Sequence, residues 1–347
     1  MLLLPIILAL PLSGNSCQPL ANDGGFYKTT DNGKNWQQKV TITNSTATLA
    51  QAEIDQLLAD PNNPNLVMAI VNGQGLFLSD QFGESWRRLL PETSLVHCLE
   101  ADYQNKNTFY ISASINDRGK ILISENAGTD WREIYTETGK NTFITQIKYD
   151  PFHPGTILAV NSEGVSIKSA NQGHTWQAIF PFGEKVKNIF FDPSQENGVW
   201  ALTSKGVWHS TDGGSKFEML DLTANFSEIG TDYYLLEKKQ ENLFFATDKG
   251  FYRSSNEGKN WSRIVTLNNS ANFPPNVFET FPQNPSQLWA MGAGMTLYVT
   301  GDGGLNWKPI QFDVNRQITQ ILIKKDDPGQ MLVGVKTVKT RGGMGLY

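Results

Sequence analysis

The chain has 347 residues, enough for one large repeat domain or two ordinary domains. Aromatic residues make up 11% of it and charged residues only 18%, and it contains 31 glycines, a profile typical of a protein rich in β-strands and turns. The net charge of -5 provides no broad basic field, which argues against nucleic acid or an anionic membrane surface as the main partner.

The first segment of the chain has the pattern of an export signal. Residues 2–12 form an apolar run too short to span a bilayer, and small or polar residues follow up to Cys17. We therefore interpret residues 1–17 as a signal or lipoprotein-type leader and expect a periplasmic or cell-surface protein. Cys17 is a lipidation candidate, although Gly14 stands where the usual lipoprotein signal has leucine; the alternative is an unpaired cysteine in a removed or flexible tail. Contact with a membrane is expected only through such an anchor.

A short pattern then recurs seven times between residues 29 and 307. Each copy has a hydroxyl residue, Asp or Asn two positions later, Gly two positions after that, and Trp or Phe three positions further on. The acidic or amide position is occupied in turn by Asp31, Gln81, Asn126, Asn171, Asp212, Asn256 and Asp302, of which only Gln81 departs from the pattern. A short Asp or Asn side chain accepts hydrogen bonds from backbone amides ahead of it, and glycine supplies a positive φ. Each copy therefore predicts a tight structural turn and not a metal or catalytic site.

Apolar strands fill the intervals between these turns. Before each turn after the first, an apolar strand that usually ends in Asp-Pro is followed by a second apolar strand, as in residues 144–151 and 156–160. The period of about 45 residues suits four strands and their connections, which is one propeller blade. The first turn has no inner strands before it, and the last unit, residues 318–347, has inner strands but no turn after it. We therefore predict an all-β, seven-bladed β-propeller of four-stranded antiparallel blades over residues 18–347, with the ring closed by N- and C-terminal strands.

The seven turns resemble the Asp-box, also called the bacterial neuraminidase repeat, as in Gly25-Phe26-Tyr27-Lys28-Thr29-Thr30-Asp31. The single-propeller length, the leader and these repeats are most similar to the photosystem II stability and assembly factor family and, more distantly, to the luminal propeller of sortilin. This resemblance implies that the Asp-boxes lie on one face of the ring and that ligands meet the opposite face, where the innermost strands begin. It indicates a fold and does not identify a partner.

Polar residues cluster at the starts of the innermost strands when these strands are aligned from their Asp-Pro ends. With one charged turn, they supply the candidate binding residues Asp55, His97, Gln146, Lys187, Tyr233, Asn276, Gln320 and Arg118. The longer loops 41–51, 222–231 and 265–276 lie on the same face, and aromatic residues there, with Phe180 and Phe182, either anchor a protein partner or pack onto the blades. We expect a monomeric propeller that binds a protein or an envelope polymer here. The alternative is a solvated channel mouth without a ligand.

Sequence signatures of catalysis are weaker than the repeat pattern and the polar strand starts. The Asp-box resemblance extends to sialidases and xyloglucanases, so a glycan-active enzyme is the alternative function, but the Arg-Ile-Pro signature of sialidases is absent. Asp55, Asp232 and Glu279 are carboxylates near inner strands, and their spacing singles out no pair for a glycoside hydrolase. The four histidines are dispersed and form no metal-ligand cluster. We therefore expect no metal, no cofactor, and a non-catalytic scaffold for protein binding or assembly.

Overall fold

The structure is a computed structural model that describes residues 22–91, 94–222, 230, 232–265, 275–285 and 289–337. In these ranges the regular structure consists of 28 β-strands. No helix in the same ranges is long and apolar enough to cross a membrane. The leader, residues 1–17, and the chain from residue 338 onward lie outside the described residues, so lipidation of Cys17 stays a prediction.

The strands form seven antiparallel sheets of four strands each. In the first half of the chain they are β1 (Phe26–Thr29), β2 (Gln37–Gln38), β3 (Ile54–Asp60), β4 (Asn63–Val71), β5 (Gly75–Ser79), β6 (Arg87–Arg88), β7 (Leu95–Ala101), β8 (Phe109–Ile115), β9 (Arg118–Ser124), β10 (Arg132–Thr136), β11 (Ile144–Tyr149), β12 (Ile157–Asn161), β13 (Val165–Ser169) and β14 (Gln177–Pro181). In the second half they are β15 (Val186–Phe191), β16 (Val199–Thr203), β17 (Val207–Ser210), β18 (Glu218–Met219), β19 (Tyr233–Lys239), β20 (Asn242–Thr247), β21 (Gly250–Ser254), β22 (Ser262–Ile264), β23 (Pro275–Thr280), β24 (Trp289–Ala293), β25 (Thr296–Thr300), β26 (Lys308–Ile310), β27 (Gln317–Ile323) and β28 (Met331–Lys336).

Six blades are continuous in the chain, and the seventh is built from both of its ends. Blades I to VI are β3–β6, β7–β10, β11–β14, β15–β18, β19–β22 and β23–β26, and blade VII has the order β27, β28, β1, β2. β1 pairs with β28 in antiparallel register, from Phe26 opposite Gly334 to Thr29 opposite Met331. The backbone groups of β1 thus find partners on both sides. The predicted seven-bladed ring closed by N- and C-terminal strands is confirmed.

Large aromatic side chains fill the space between neighbouring blades. Trp86, at the end of the first complete repeat, is fully buried and stacks on Phe26 of blade VII, with 4.0 Å between ring centroids. Trp200 and Trp289 are also fully buried. Every residue of the second strands β12 and β16 is buried, because a blade packs on both of its faces against neighbours. These strands therefore have continuous apolar sequences and not alternating ones.

The seven Asp-box turns share one hydrogen-bond pattern. In each, the Ser or Thr hydroxyl oxygen accepts the amide N–H of the glycine four residues on, at 2.8–3.2 Å, and that glycine has a φ between 72° and 90°. In six turns the Asp or Asn Oδ1 also accepts the backbone N–H four residues on, at 2.9 Å. Hydrogen bonds from Asn35 and Asn306 hold the pKa values of Asp31 and Asp302 at about 2. Gln81, with its longer side chain, makes no such bond within the described residues.

Candidate binding site at the channel mouth

All seven innermost strands carry a β-bulge at the same position, near their first residue. In β3, Ile54 pairs with Val71 and Gln56 with Ile70, so that Asp55 is an extra residue without a partner across the ladder. A bulge bends its strand and re-aims the extra side chain. The seven extra residues are Asp55, His97, Thr145, Lys187, Tyr234, Asn276 and Thr319. They surround one end of the central channel, which we call the mouth; the ring has a mouth face there and a box face, with the Asp-boxes, on the other side.

The bulge in β19 corrects one predicted site residue. The sequence alignment placed Tyr233 in the position of Asp55, but Tyr233 pairs with Thr247, is 9% exposed and packs on Phe245. Tyr234 occupies the bulge, is 36% exposed and lines the mouth. The alignment was one residue out because β19 runs on to Lys239 without the Asp-Pro that marks the ends of β3, β11 and β15.

The mouth opens into a cavity of about 390 Å³ that six of the seven bulge residues line. A second cavity of about 470 Å³ lies deeper, and Lys148, Glu237 and Gln320 line both cavities. The two cavities therefore form one continuous channel. The site candidates Asp55, His97, Gln146, Lys187, Asn276 and Gln320 all lie on its wall, as the sequence predicted for the strand starts.

Amide side chains at the mouth connect neighbouring blades. The inner edge of an innermost strand has backbone groups that no strand pairs, and in five blades an amide side chain of the preceding blade forms a hydrogen bond with one of them. Written from donor to acceptor, the connecting hydrogen bonds are Leu57 N to Gln320 Oε1 (3.1 Å), Gln56 Nε2 to Leu99 O (2.7 Å), Gln146 Nε2 to Lys187 O (3.5 Å), Asn188 Nδ2 to Leu236 O (2.9 Å) and Asn276 Nδ2 to Ile318 O (2.7 Å). Much of the polarity that marked these positions in the sequence thus serves the ring itself.

The charged residues at the mouth have different surroundings. Asp55 forms an ion pair with Lys336 of blade VII. The Lys187 ammonium donates to the Tyr233 carbonyl oxygen at 3.0 Å, across to blade V. Arg118 lies outside the channel, in blade II, and donates to the Glu137 carbonyl oxygen at 3.4 Å. Arg118 therefore does not share a wall with the other candidates.

A belt of charged side chains lies deeper in the channel, and sequence reasoning did not find it. Lys148 is 3.4 Å from Glu100, and Lys239 lies 3.3 Å from Glu237 and 3.0 Å from Glu279. Burial raises the pKa values of Glu100 and Glu237. Burial lowers the pKa of Lys239, but Glu279 and Glu237 outweigh it and raise that pKa above its ordinary value. Each carboxylate of the belt thus has an ammonium group as its partner.

The predicted carboxylate candidates for hydrolysis lie apart. Asp55 is at the mouth, Glu279 is in the deeper cavity, and Asp232 lines neither cavity. The backbone N–H of Asp232 donates to Asp248 in the neighbouring turn. Neither cavity is lined by more than one of these three carboxylates.

A buried ion cluster links blades IV and V on the box face. Lys238 donates to Asp192 at 2.6 Å and to Glu257 at 2.7 Å, and the side chains of Lys238 and Asp192 are 1% and 0% exposed. Trp200 Nε1 also donates to Asp192, at 2.8 Å, and His209 stacks on the Trp200 ring. Asp192, His209 and Glu257 have potential metal-ligand atoms within 4.8 Å of one another. The Lys238 ammonium already supplies the positive charge for both carboxylates.

The aromatic residues of the loops divide into buried and undescribed ones. Phe182 is buried, and Phe180 packs against Trp208 and Phe217, so this pair is fixed on blade IV and does not form an exposed anchor. The predicted loops 222–231 and 265–276 lie largely outside the described residues.

Part of the sequence matches a known family, and a curated protein is similar over most of the chain. Residues 119–250 match the Sortilin-Vps10 family, described as sortilin, neurotensin receptor 3, and this is less than half of the chain. The xyloglucanase of Hypocrea jecorina (strain QM6a) is 22% identical over 299 residues, covering 80% of this chain and 33% of that protein. The chain thus spans about a third of the length of the curated relative it matches.

Solved structures share the architecture. A GH74 xyloglucanase from Xanthomonas campestris superposes with a TM-score of 0.68 at 14% identity, over 82% of this chain and 51% of the other. YCF48 bound to D1 peptide superposes with a TM-score of 0.63 at 16% identity, over 84% and 94% of the chains. YCF48 from Cyanidioschyzon merolae gives 0.61 at 12% identity, over 82% and 95%. At these identities the likeness concerns the fold, and the chain is a seven-bladed β-propeller similar to the sortilin-type, GH74 and YCF48 proteins.

Proposed function

We propose that this chain is an exported, non-catalytic β-propeller that binds a protein partner at the channel mouth and acts as a scaffold for assembly. The observation that carries the proposal is the mouth itself: seven bulged strand starts collect varied polar side chains around a cavity of about 390 Å³. Concave sites with a few convergent polar groups are where such folds bind ligands. The YCF48 structure with a D1 peptide supports peptide binding by a propeller of this shape, and the leader supports export.

The ion pairs that the channel carboxylates form with lysines support the proposal that the chain is not a catalyst. Glu237 and Glu279 share Lys239, and Glu100 is paired with Lys148. A glycoside hydrolase needs one carboxyl group free to donate a proton and a second to act as base or nucleophile across the sugar. We infer that lysine pairing holds these groups in a structural role.

Glycoside hydrolysis is the second candidate, and similarity to a xyloglucanase favours it. Incubating the purified chain with xyloglucan and measuring new reducing ends tests it directly. Turnover that disappears in a Glu237→Gln variant would replace the scaffold proposal with an enzyme. The absence of turnover, with normal folding, agrees with the proposal.

Site-specific photo-crosslinking in the producing cell tests binding at the mouth. A photoreactive phenylalanine analogue is placed at Tyr234, which is 36% exposed at the mouth, and in a control chain at Phe152, which is 42% exposed on the box face. We expect a discrete protein adduct from position 234 and none of that mass from position 152. The same adducts from both positions, or none from position 234, would contradict binding at the mouth.

A further inference from the structure

A groove extends from the mouth over blades II, III and IV. Its volume is about 380 Å³, and its lining consists of His97, Phe143, Thr145, Gln146, Lys185, Val186 and Lys187. We call it the cationic groove. His97, Thr145, Gln146 and Lys187 line the mouth cavity as well, so that the groove and the channel are continuous.

The cationic groove has positive charge without a matching carboxylate. Lys185 and Lys187 are both exposed, and no Asp or Glu belongs to the lining. Within the described ranges, neither ammonium group forms an ion pair with a carboxylate, whereas Lys336 on the opposite wall of the mouth pairs with Asp55. Glu184 precedes Lys185 in sequence, but its carboxylate accepts a hydrogen bond from Ser204 and forms an ion pair with Lys205. The lining therefore carries two ammonium groups, and Lys187, which also donates to the Tyr233 carbonyl oxygen at 3.0 Å, has two further N–H groups for a ligand.

The same groove has an aromatic wall, which His97 and Phe143 form. The rings of His97 and Phe143 are stacked, with 4.3 Å between centroids and 21° between planes. His97 Nε2 lies 2.6 Å from Ser114 Oγ, which fixes the ring, and burial lowers the pKa of His97 so that the neutral form is favoured. Stacked rings offer an apolar surface to a ligand segment that also carries charge.

We propose that the cationic groove binds carboxylate groups of an acidic peptide segment of the protein partner, with apolar atoms of that segment against the His97–Phe143 wall. This rests on the proposed function and specifies its ligand. Charge-assisted hydrogen bonds from Lys185 and Lys187 recognise the carboxylates. The carboxylates come either from Asp and Glu side chains or from a chain terminus.

Fluorescence anisotropy with defined probes tests the inference at low ionic strength, where exposed ionic contacts are least screened. The probe is a labelled Gly/Ser decapeptide that contains Tyr and ends in two Glu residues with a free C-terminus. Its companions have an amidated C-terminus, Gln in place of both Glu, or Lys in place of both Glu. The chain is tested as wild type, as Lys185→Glu/Lys187→Glu, and as Lys216→Glu/Lys259→Glu, a control with the same change of net charge on the box face.

We expect the acidic probe to bind wild type and the box-face control alike, and the groove variant about tenfold or more weakly. If amidating the C-terminus of the probe is enough to abolish binding, the groove recognises a terminal carboxylate. If exchanging both Glu residues for Gln is enough to abolish binding, it recognises side-chain carboxylates. Either result supports the inference. Equal binding to the groove variant, equal binding of the Lys probe, or no binding of the acidic probe would overturn it. Lysine-dependent binding of polygalacturonate without binding of any peptide would also overturn it, because the ligand is then an anionic polymer.

The crosslinking experiment separates this inference from the proposed function. The Lys185→Glu/Lys187→Glu variant could still give the adduct from position 234 although the acidic probe shows no lysine-dependent binding. The mouth then binds a protein by other chemistry, and only the inference about the groove is contradicted. If wild type gives no adduct from position 234, the proposed function itself is contradicted.

Discussion

The amide of Gln56 offers the sharpest test of how the ring is held together. Its Nε2 donates to the Leu99 carbonyl oxygen at 2.7 Å, and its Oε1 accepts the Leu99 N–H at 2.9 Å, so one side chain pairs both backbone groups of a residue on the next blade. Gln56→Leu keeps a similar volume and removes both bonds. At about 1 kcal/mol net for each bond, and somewhat more where the channel supplies water poorly, the free energy of unfolding should fall by about 2–3 kcal/mol. For a chain of this length, that corresponds to a fall in Tm of roughly 3–4 °C.

Equilibrium urea denaturation measures this change, provided that refolding is reversible. The matched control is Gln177→Leu, because Gln177 is exposed on an outer strand and a substitution there should stay within about 0.5 kcal/mol of wild type. If Gln56→Leu is as stable as this control, the amides at the mouth do not hold the blades together. Our account of these amides as connections between blades would then be wrong.

Three further predictions concern buried charge and titration. Lys238→Met leaves Asp192 buried without its counter-charge and should lower the free energy of unfolding by about 3–5 kcal/mol in urea denaturation; a loss below about 1 kcal/mol would refute the pairing. Burial lowers the pKa of His209 below 6.5, so its stabilising contribution is complete above that pH and is lost as the pH falls through the folded-state pKa. His209→Phe, which keeps a ring on Trp200, should flatten the stability profile measured between about pH 7 and 5, and an unchanged slope would exclude this role. Asp302 has a pKa of about 2 against an ordinary 3.8, so its contribution to the free energy of unfolding is complete above pH 3.8 and is lost as the pH falls to about 2. Asp302→Asn should remove this part of the fall in stability with acid, and an equal fall in both proteins would count against the prediction.

The fold was predictable because its signals are local and repeated. A hydroxyl, an Asp or Asn and a glycine at fixed spacing make one turn whatever surrounds them, and seven copies at one period leave a single ring as the solution. The closing blade followed from the missing inner strands before Asp31 and the missing turn after residue 318.

The site was only partly predictable, because its geometry depends on contacts between blades. A bulge has no sequence signature of its own, so Tyr233 was aligned where Tyr234 lies. The roles of Gln146 and Gln320 could not be separated from ligand binding without the position of the next strand. The charged belt did leave a signal: Glu100, Lys148 and Glu237 are charged residues inside the innermost strands, and continuing the alignment beyond the strand starts would have found them.

Because both chain ends close the ring, the protein can complete its folding only late in synthesis. On the ribosome, β1 emerges roughly 300 residues before β28, which at about 5–20 residues per second is an interval of some 15–60 s. During that time the edge of β1 that β28 will cover is available to any other strand, and the contact that buries it has nearly the largest sequence separation in the protein. Six blades can form progressively as the chain lengthens, but the ring is completed only by its last strands.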